Sequence, residues 1–383
     1  MAPTTRDVDL NQAELERYSR QLVLPEIGRD GQVRLKRSSV VVVGMGGLGI
    51  PAAVYLAAAG VGRVAVVDSD KVEKSNLHRQ TIYTEADVGR TKARVARERL
   101  SQVNPHIVVE DHELKLDSEN ALEVLGPHDV VLDCTDNFPA RYLINDACVL
   151  LGKPDVYASI FRFDGQASVF DAKTGPCYRC LFPQPPPPES VQDCAVAGVL
   201  GVLPGIMGSI QAVQAMNLLL GRGQSLSGRL MVFNATDLSF TELRVRKDPK
   251  CPVCGANPTV TKLIDYDDFC GTRSVAKKVE EIAPRALKQR LDAGERIVLL
   301  DVREPYEHAF CNIVGSKLIP LSELEQRLDE LNGSDEIVVY CHTGVRSSRA
   351  VQLMSSKGFG RARNLTGGIL AWAEDVDPSM PKY

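Results

Sequence analysis

The sequence lacks a long apolar run, a strong excess of charge of either sign and an apolar N-terminal segment. Its 383 residues carry a formal net charge of −4, so there is no broad basic surface of the kind that binds nucleic acid. No apolar run reaches the roughly 20 residues that a membrane span needs. The start of the chain is polar, with Asp7, Asp9, Asn11 and Glu14, whereas a signal peptide has an apolar segment there. We therefore expect a cytoplasmic protein with no nucleic-acid and no membrane partner.

The composition is otherwise that of an ordinary globular protein, with 44% apolar and 25% charged residues. The length is sufficient for two or three domains. There are ten cysteines. In a reducing compartment, cysteines are more often metal ligands, nucleophiles or buried thiols than disulfide partners.

The most informative stretch is a run of four valines that ends in glycines. The continuous β-branched run Val40–Val43 is typical of a buried parallel strand, and Pro51–Ala59 is predicted as a helix that stops at Gly60. Backbone N–H groups of such a loop approach phosphates, and the helix N-terminus adds a partial positive charge. The loop therefore predicts a nucleotide site, although by itself it fits both NAD and ATP. Its glycines are Gly44, Gly46, Gly47 and Gly49.

Acidic residues follow two later strands, at the edge where an open parallel sheet binds ligands. Asp68 ends a predicted strand about 20 positions after Gly49, where a βαβ unit places a ribose-binding carboxylate. Asp136 follows the strand that begins at His128, and we expect it to hold magnesium or to orient a phosphate. The alternatives are a surface aspartate at position 68 and a turn-forming Asp136-Asn137 pair.

Basic residues lie near the same edge. Arg79 belongs to the polar stretch Ser75–Gln80, and Lys92 opens the next predicted helix. Both side chains would face triphosphate oxygens, and a solvated helix face is the alternative.

Two C-x-x-C pairs stand far apart in the chain, Cys177 with Cys180 and Cys251 with Cys254. Together they supply four thiolates for a tetrahedral zinc ion and leave no open coordination position, so we predict a structural site. A redox role for either single pair is the alternative. Cys194, which follows a proline-rich run, is either an incidental thiol or one that reaches a substrate.

A composition change over residues 263–279 predicts a linker between domains at 1–262 and 280–383. In the second domain the strand Ile337–Tyr340 runs directly into Cys341, and a helix follows. Such a loop directs N–H groups at the sulfur, so we predict that Cys341 is a nucleophile that holds a persulfide anion. Arg346 adds charge for an anionic donor, and a buried inert cysteine is the alternative.

These residues resemble two families in tandem. From Arg17 to about Cys254 the chain resembles the MoeB/ThiF adenylating enzymes, relatives of the ubiquitin-activating enzymes, and from about Glu280 it resembles a rhodanese domain, in the order of the MoeZ-type fusions. The first resemblance rests on Arg17–Gln21, Gly44–Gly49, Asp68–Asp70, Ser75–Gln80, Lys92, Asp133–Asn137 and both C-x-x-C pairs. The second rests on Cys341-x-x-x-x-Arg346 and Asp301–Glu304. We therefore expect an α/β protein with a Rossmann-like, zinc-containing adenylation domain and a smaller α/β rhodanese domain.

The resemblance implies an MgATP site and two reactions. The nucleotide-binding residues would be Gly44, Gly46, Gly47, Gly49, Asp68, Asp70, Ser75, Asn76, Arg79, Gln80, Lys92, Asp136 and Asn137. ATP would adenylate the C-terminal Gly-Gly carboxylate of a small ubiquitin-like sulfur-carrier protein, and a persulfide on Cys341 would convert it to a thiocarboxylate. The catalytic residues would be Cys341, Cys194, Arg20, Arg79, Asp136 and Arg346.

The resemblance also implies assembly and partners. Arg20 would reach the active site of the neighbouring subunit in a homodimer, and Cys194 would form a transient link to the carrier. The sulfur donor would be a cysteine desulfurase or thiosulfate, while molybdopterin, thiamin, cysteine and thio-metabolite pathways all fit. Two other classes remain open on the residues alone: an NAD-dependent oxidoreductase, and a zinc-stabilised scaffold without catalytic activity.

Overall fold

The computed structural model describes residues 9–186, 198–271 and 279–382. The chain forms two compact units, Met1–Arg273 and Ser274–Tyr383. The division falls inside the predicted linker of 263–279. Residues 263–271 are folded onto the first unit, where Tyr266 and Cys270 are buried. Because residues 263–271 pack on the first unit, a linker remains a prediction only for the second half of the range 263–279.

The first unit is built on one mixed sheet of eight strands in the order β3-β2-β1-β4-β5-β6-β7-β8. Strands β1 to β5 pair in parallel, and β5 to β8 pair antiparallel. The parallel half positions the site, because the carboxyl ends of its strands meet at one edge. The strands are β1 (Ser39–Val43), β2 (Arg63–Val67), β3 (Val108–His112), β4 (Val130–Asp133), β5 (Asp155–Phe161), β6 (Asp164–Phe170), β7 (Arg229–Asn234) and β8 (Ser239–Arg244).

Helices cover both faces of this sheet, which explains the continuous valine run in β1. Val40 and Val42 enter the core beneath one set of helices, while Val41 and Val43 enter the core on the opposite face. The helices are α1 (Gln12–Arg17), α2 (Ser19–Leu22), α3 (Gly28–Arg37), α4 (Gly49–Ala59), α5 (Lys92–Val103), α6 (Ala121–Leu125), α7 (Phe138–Leu151), α8 (Tyr178–Leu181), α9 (Leu203–Leu220) and α10 (Tyr266–Phe269).

Helix α9 is long and apolar enough to cross a membrane by length and composition alone, with 18 residues and a mean hydropathy of 1.2. The prediction from the sequence that no segment is long and apolar enough to span a membrane is therefore wrong for this helix. The helix packs against α4 and against strands β5 and β6, and 56% of it is buried. These contacts account for its apolar composition as that of a core helix.

The second unit is an all-parallel sheet of five strands in the order β11-β10-β12-β13-β9, with a hydrophobic core on each face. The helix that begins at Leu321 is short, because a 3₁₀ segment with non-helical geometry at Arg327 follows its first turn. The strands are β9 (Glu281–Ile282), β10 (Ile297–Asp301), β11 (Lys317–Leu318), β12 (Glu336–Tyr340) and β13 (Ala362–Leu365), and the helices are α11 (Pro284–Asp292), α12 (Pro305–Phe310), α13 (Leu321–Leu324), α14 (Val345–Ser356) and α15 (Gly368–Asp375).

The crossing of α4 and α9 gives a first test of the fold. A Cβ atom on Gly208 would lie 2.2 Å from the Leu48 carbonyl oxygen, whereas one on Gly205 of the same helix would meet no atom within 4 Å. We expect Gly208→Ala to destabilise the first unit by roughly 1–3 kcal/mol through overpacking. As the matched control, Gly205→Ala should stabilise it by up to about 1 kcal/mol, since alanine is the better helix former. Thermal unfolding of both variants measures the difference, and equal midpoints would contradict this close helix contact.

Candidate functional sites

A cavity of about 650 Å³ opens at the carboxyl ends of β1, β2 and β4. The structure brings most of the predicted nucleotide-binding residues together around it, although they come from five separate stretches of the chain. Those that line the cavity are Gly44, Gly46, Gly47, Asp68, Asp70, Arg79, Gln80, Lys92, Asp136 and Asn137. The predicted residues outside this lining are Gly49, Ser75 and Asn76.

The glycine loop turns tightly between β1 and α4. Gly44 has φ of +94°, which favours glycine, and a Cβ on it would lie 2.7 Å from the Cys134 carbonyl oxygen. A Cβ on Gly49 would lie 1.9 Å from the Gly44 carbonyl oxygen. Gly49 therefore serves the close packing of loop and helix, and this packing directs the N-terminus of α4 to the cavity.

Asp68 is fixed by the loop backbone. Its two carboxylate oxygens accept hydrogen bonds from the Met45 and Asp70 N–H groups, each at 2.8 Å, and burial raises its pKa. The Lys92 ammonium lies 3.0 Å from the Asp70 carboxylate, and its aliphatic part is buried. Tyr83, which sequence reasoning missed, donates to the Met45 carbonyl at 2.9 Å. An isolated buried tyrosine leaves no pattern in the sequence that reveals such a contact.

The stretch Ser75–Gln80 presents two side chains to the cavity. Arg79 donates to the Ser75 carbonyl at 3.0 Å, and its Nη1 lies 2.8 Å from His78 Nε2. Burial and the neighbouring guanidinium lower the pKa of His78. Gln80 is 4% exposed, and its Oε1 has no hydrogen-bond partner within the described parts of the chain. Ser75 and the buried Asn76 form the turn that carries Arg79.

Asp136 and Asn137, which lie between β4 and α7, have different roles. Asp136 is exposed at the cavity, whereas Asn137 caps α7 by accepting a hydrogen bond from the Ala140 N–H at 3.0 Å. The preceding Thr135 is held by Asp133, to which its hydroxyl donates at 2.6 Å. Arg141, one turn into α7, donates to the Thr135 carbonyl at 3.2 Å. Arg141 was missed from the sequence, although its position one turn after the capping Asn137 placed it near this loop.

Two further catalytic residues, Arg20 and Cys194, were predicted for the first unit. Arg20 is exposed on α2 and is not among the residues that line the cavity. Cys194 lies outside the described residues. The catalytic roles of both stay predictions.

The four predicted zinc ligands come together although 74 positions separate the two pairs. Their sulfur atoms all lie within 4.8 Å of one another, with Cys177 to Cys251 at 3.5 Å and Cys180 to Cys254 at 3.4 Å. Sulfurs bound to one zinc at about 2.3 Å in a tetrahedron would lie roughly 3.8 Å apart, so the cluster fits this ion. All four ligands would come from the protein, as in a structural site.

The second unit presents Cys341 at the start of a strand–loop–helix turn. Its sulfur accepts a hydrogen bond from the Gly344 N–H at 3.2 Å. The Ser347 hydroxyl oxygen lies 3.4 Å from the sulfur and donates its proton to Asn364 Oδ1 at 2.7 Å. Gly344 has φ of +94° and is the residue before α14. The thiol is 1% exposed. The loop thus directs one backbone N–H at the sulfur.

Arg346 has a carboxylate partner that the sequence did not reveal. Its guanidinium donates two hydrogen bonds of 2.7 Å to the two carboxylate oxygens of Glu307, and both side chains are buried. This bidentate pair joins the first turn of α14 to α12. Part of the charge predicted to attract an anionic donor is therefore neutralised, and the donor-binding role of Arg346 stays a prediction.

The ThiF family matches residues 18–253, and the rhodanese-like domain matches residues 283–375. The chain belongs to the ThiF family. It is 46% identical to the probable adenylyltransferase/sulfurtransferase MoeZ of Mycobacterium tuberculosis, over 98% of this chain and 96% of the relative. It is 44% identical to the adenylyltransferase and sulfurtransferase MOCS3 of Anopheles gambiae, over 98% of this chain and 90% of the relative.

A third relative covers the first unit alone. The sulfur carrier protein adenylyltransferase of Thermus thermophilus is 58% identical over 68% of this chain and 98% of the relative. Among solved structures, Escherichia coli MccB with ATP gives a TM-score of 0.56 at 23% identity, over 64% of this chain and 75% of that chain, which supports the fold of the first unit.

Membership of the ThiF family with a rhodanese-like domain confirms both resemblances drawn from the sequence motifs. The chain is an adenylyltransferase and a sulfurtransferase, as are its relatives over nearly its full length. This assignment excludes the NAD-dependent alternative and the scaffold without catalytic activity.

The cysteine cluster yields a direct test. We expect Cys254→Ser to lose bound zinc and to lower the thermal midpoint, because one of four thiolate ligands is removed. Elemental analysis of the purified protein measures the metal, at about one equivalent per chain before substitution. The control is Cys148→Ala, which removes a buried thiol outside the cluster and should keep the metal. Full zinc content in Cys254→Ser would contradict the assignment.

Proposed function

We propose that the first unit adenylates the C-terminal Gly-Gly carboxylate of a small ubiquitin-like sulfur-carrier protein, and that the second unit supplies the sulfur. The observation that carries the proposal is the convergence of the glycine loop, Asp68, Arg79, Lys92 and Asp136 on one cavity. The name of the Thermus thermophilus relative, which matches the first unit, gives the substrate class.

In the first reaction a carboxylate oxygen of the carrier attacks the α-phosphorus of ATP, and pyrophosphate leaves. The protein contributes position and charge, as in other phosphoryl-group chemistry. The loop N–H groups hold the phosphates, and Arg79 and Lys92 stabilise the charge that develops on them. Asp136 would hold Mg²⁺, which when bound neutralises part of the phosphate charge. Arg20 would act in the cavity of the neighbouring subunit of a homodimer, which fits its exposed position on α2.

In the second reaction Cys341 carries sulfane sulfur as a persulfide. The terminal persulfide sulfur attacks the carrier's acyl group, the bond to AMP breaks and AMP leaves, so that the carrier is joined to Cys341 as an acyl disulfide. A dithiol reductant then cleaves the S–S bond by thiol–disulfide exchange, which releases the carrier as a thiocarboxylate and restores the Cys341 thiol. The Gly344 N–H, which donates to the Cys341 sulfur, would stabilise the persulfide anion by hydrogen bonding. A cysteine desulfurase or thiosulfate would load Cys341, and Cys194 would hold the carrier by a transient link. We place both reactions in the cytoplasm.

The division of labour predicts that Cys341→Ala retains adenylation and loses sulfur transfer. Carrier-dependent exchange of labelled pyrophosphate into ATP should stay within about twofold of the unsubstituted protein, and thiocarboxylate should not form. Cys311→Ala, which removes another buried thiol of the same unit, should retain both activities. Equal loss of both activities in Cys341→Ala would refute separate sites.

The predicted role of Asp136 is tested in the first reaction. Asp136→Ala should lower the rate of ATP–pyrophosphate exchange by roughly 100-fold or more, because a group aimed at developing charge is lost. Glu123→Ala, which removes an exposed carboxylate on α6 outside the cavity lining, is the control. Exchange at the normal rate in Asp136→Ala would show that this carboxylate neither holds magnesium nor orients a phosphate.

A further inference from the structure

One wall of the nucleotide cavity comes from a segment that the sequence reading assigned to the linker. Asp265, Tyr266 and Asp267 line the same cavity as the glycine loop. They follow the second C-x-x-C pair and precede the part of the chain that leads into the second unit. The family match ends at residue 253, so this wall lies beyond the portion of the chain that the ThiF family describes.

Two contacts hold the segment against the loop after β3. The Ser118 hydroxyl donates to the Ile264 carbonyl at 2.8 Å, and the Lys115 ammonium lies 3.5 Å from an Asp267 carboxylate oxygen. The residues of this loop also line the cavity. The segment and the loop therefore form one continuous wall.

A buried ion pair, formed by Arg179 and Asp146, holds the Asp265–Asp267 segment in place. Tyr266 donates from its hydroxyl to Asp146 at 2.9 Å, and Arg179 makes a bidentate pair with the same carboxylate at 2.9 and 2.7 Å. Asp146 is fully buried, and Arg179 and Tyr266 are 2% and 5% exposed. Arg179 stands between the zinc ligands Cys177 and Cys180 and lies 4.4 Å from the ring centre of Phe269. The wall is thus connected to the metal cluster by a desolvated charge pair.

The charges of the cavity indicate which part of a nucleotide meets this wall. The glycine loop, Arg79 and Lys92 supply positive potential for phosphates, although Lys92 pairs with Asp70. The wall carries the carboxylates of Asp265 and Asp267, of which Asp267 pairs with Lys115. Carboxylates repel a triphosphate, but they accept hydrogen bonds from ribose hydroxyls and from an exocyclic amino group. The wall therefore suits the nucleoside.

Two buried polar atoms in the cavity lining independently indicate a polar ligand. Gln80 Oε1 and Arg141 Nε have no hydrogen-bond partner within the described ranges, and both residues line the cavity while being at least nine-tenths buried. Leaving such groups unsatisfied is unfavourable. A bound polar molecule would satisfy them.

We propose that Asp265–Asp267 form the nucleoside-side wall of the nucleotide site, and that the Arg179–Asp146–Tyr266 network positions this wall. The inference rests on the proposed nucleotide site in the cavity. Tyr266 is a positioning residue, since it acts through Asp146. It follows that a bound nucleotide would further stabilise the folded segment 263–271, which precedes the sulfurtransferase unit.

Hydrogen exchange of the full chain with and without AMP tests the wall directly. The Phe269, Cys270 and Gly271 amides hydrogen-bond within the segment and should exchange several-fold more slowly when AMP is bound, together with amides of the glycine loop. Protection of the glycine loop without any change at 263–271 would overturn this inference alone. Absence of protection at both places would overturn the proposed nucleotide site and the inference with it.

Tyr266→Phe tests the positioning network, because it removes one hydroxyl and retains the ring. Exchange at 263–271 in the free protein should accelerate, and the dissociation constant for ATP should rise about fivefold to tenfold, as expected when a hydrogen bond to a charged group is lost. Asp268→Ala changes a neighbouring exposed side chain outside the cavity lining and should leave both values unchanged. Normal exchange and normal affinity in Tyr266→Phe would refute the positioning role.

Discussion

The nucleotide site depends on a backbone contact between two glycines. Any side chain on Gly49 would collide with the Gly44 carbonyl, and any side chain on Gly44 would collide with the backbone after β4. Only this close approach lets β1 turn into α4 within a few residues and leaves the helix N-terminus at the carboxyl edge of the sheet. Asp68 then fixes the loop through the Met45 N–H. The positions of Arg79, Lys92 and Asp136 matter chemically because they surround this turn.

The second unit uses the same physical device for a different reaction. There too a parallel strand ends, a glycine with φ of +94° follows, and a helix begins. In the first unit the turn lines the cavity that we propose to hold phosphates, and in the second unit the Gly344 N–H donates to the sulfur of Cys341. The first turn would stabilise the phosphate charge that develops while the carboxylate is adenylated. The second turn would stabilise the persulfide anion that supplies sulfur. We propose that the two α/β units use these turns for two successive steps on one carboxylate.

The sequence predicted those features that depend on local pattern. The valine run, the glycine spacing and the C-x-x-C pairs each reflect a constraint within a few residues, and the structure agrees with their local geometry. Features that depend on distant partners were not predictable in this way. Nothing near Arg346 indicates that Glu307 is its partner, and nothing near Tyr266 indicates Asp146. The acidic composition of 263–271 is typical of a linker, whereas the burial of Tyr266 and Cys270 depends on a surface formed by α7 and α8.

The central claim is that one chain both activates a carrier carboxylate and replaces its oxygen by sulfur. Its most direct test is mass spectrometry of each Gly-Gly-ending carrier from the same genome after incubation with the protein, ATP and a sulfur source. We predict that at least one carrier gains one sulfur in place of one oxygen, and only when ATP is present. Carriers of unchanged mass, or sulfur incorporation without ATP, would contradict the account.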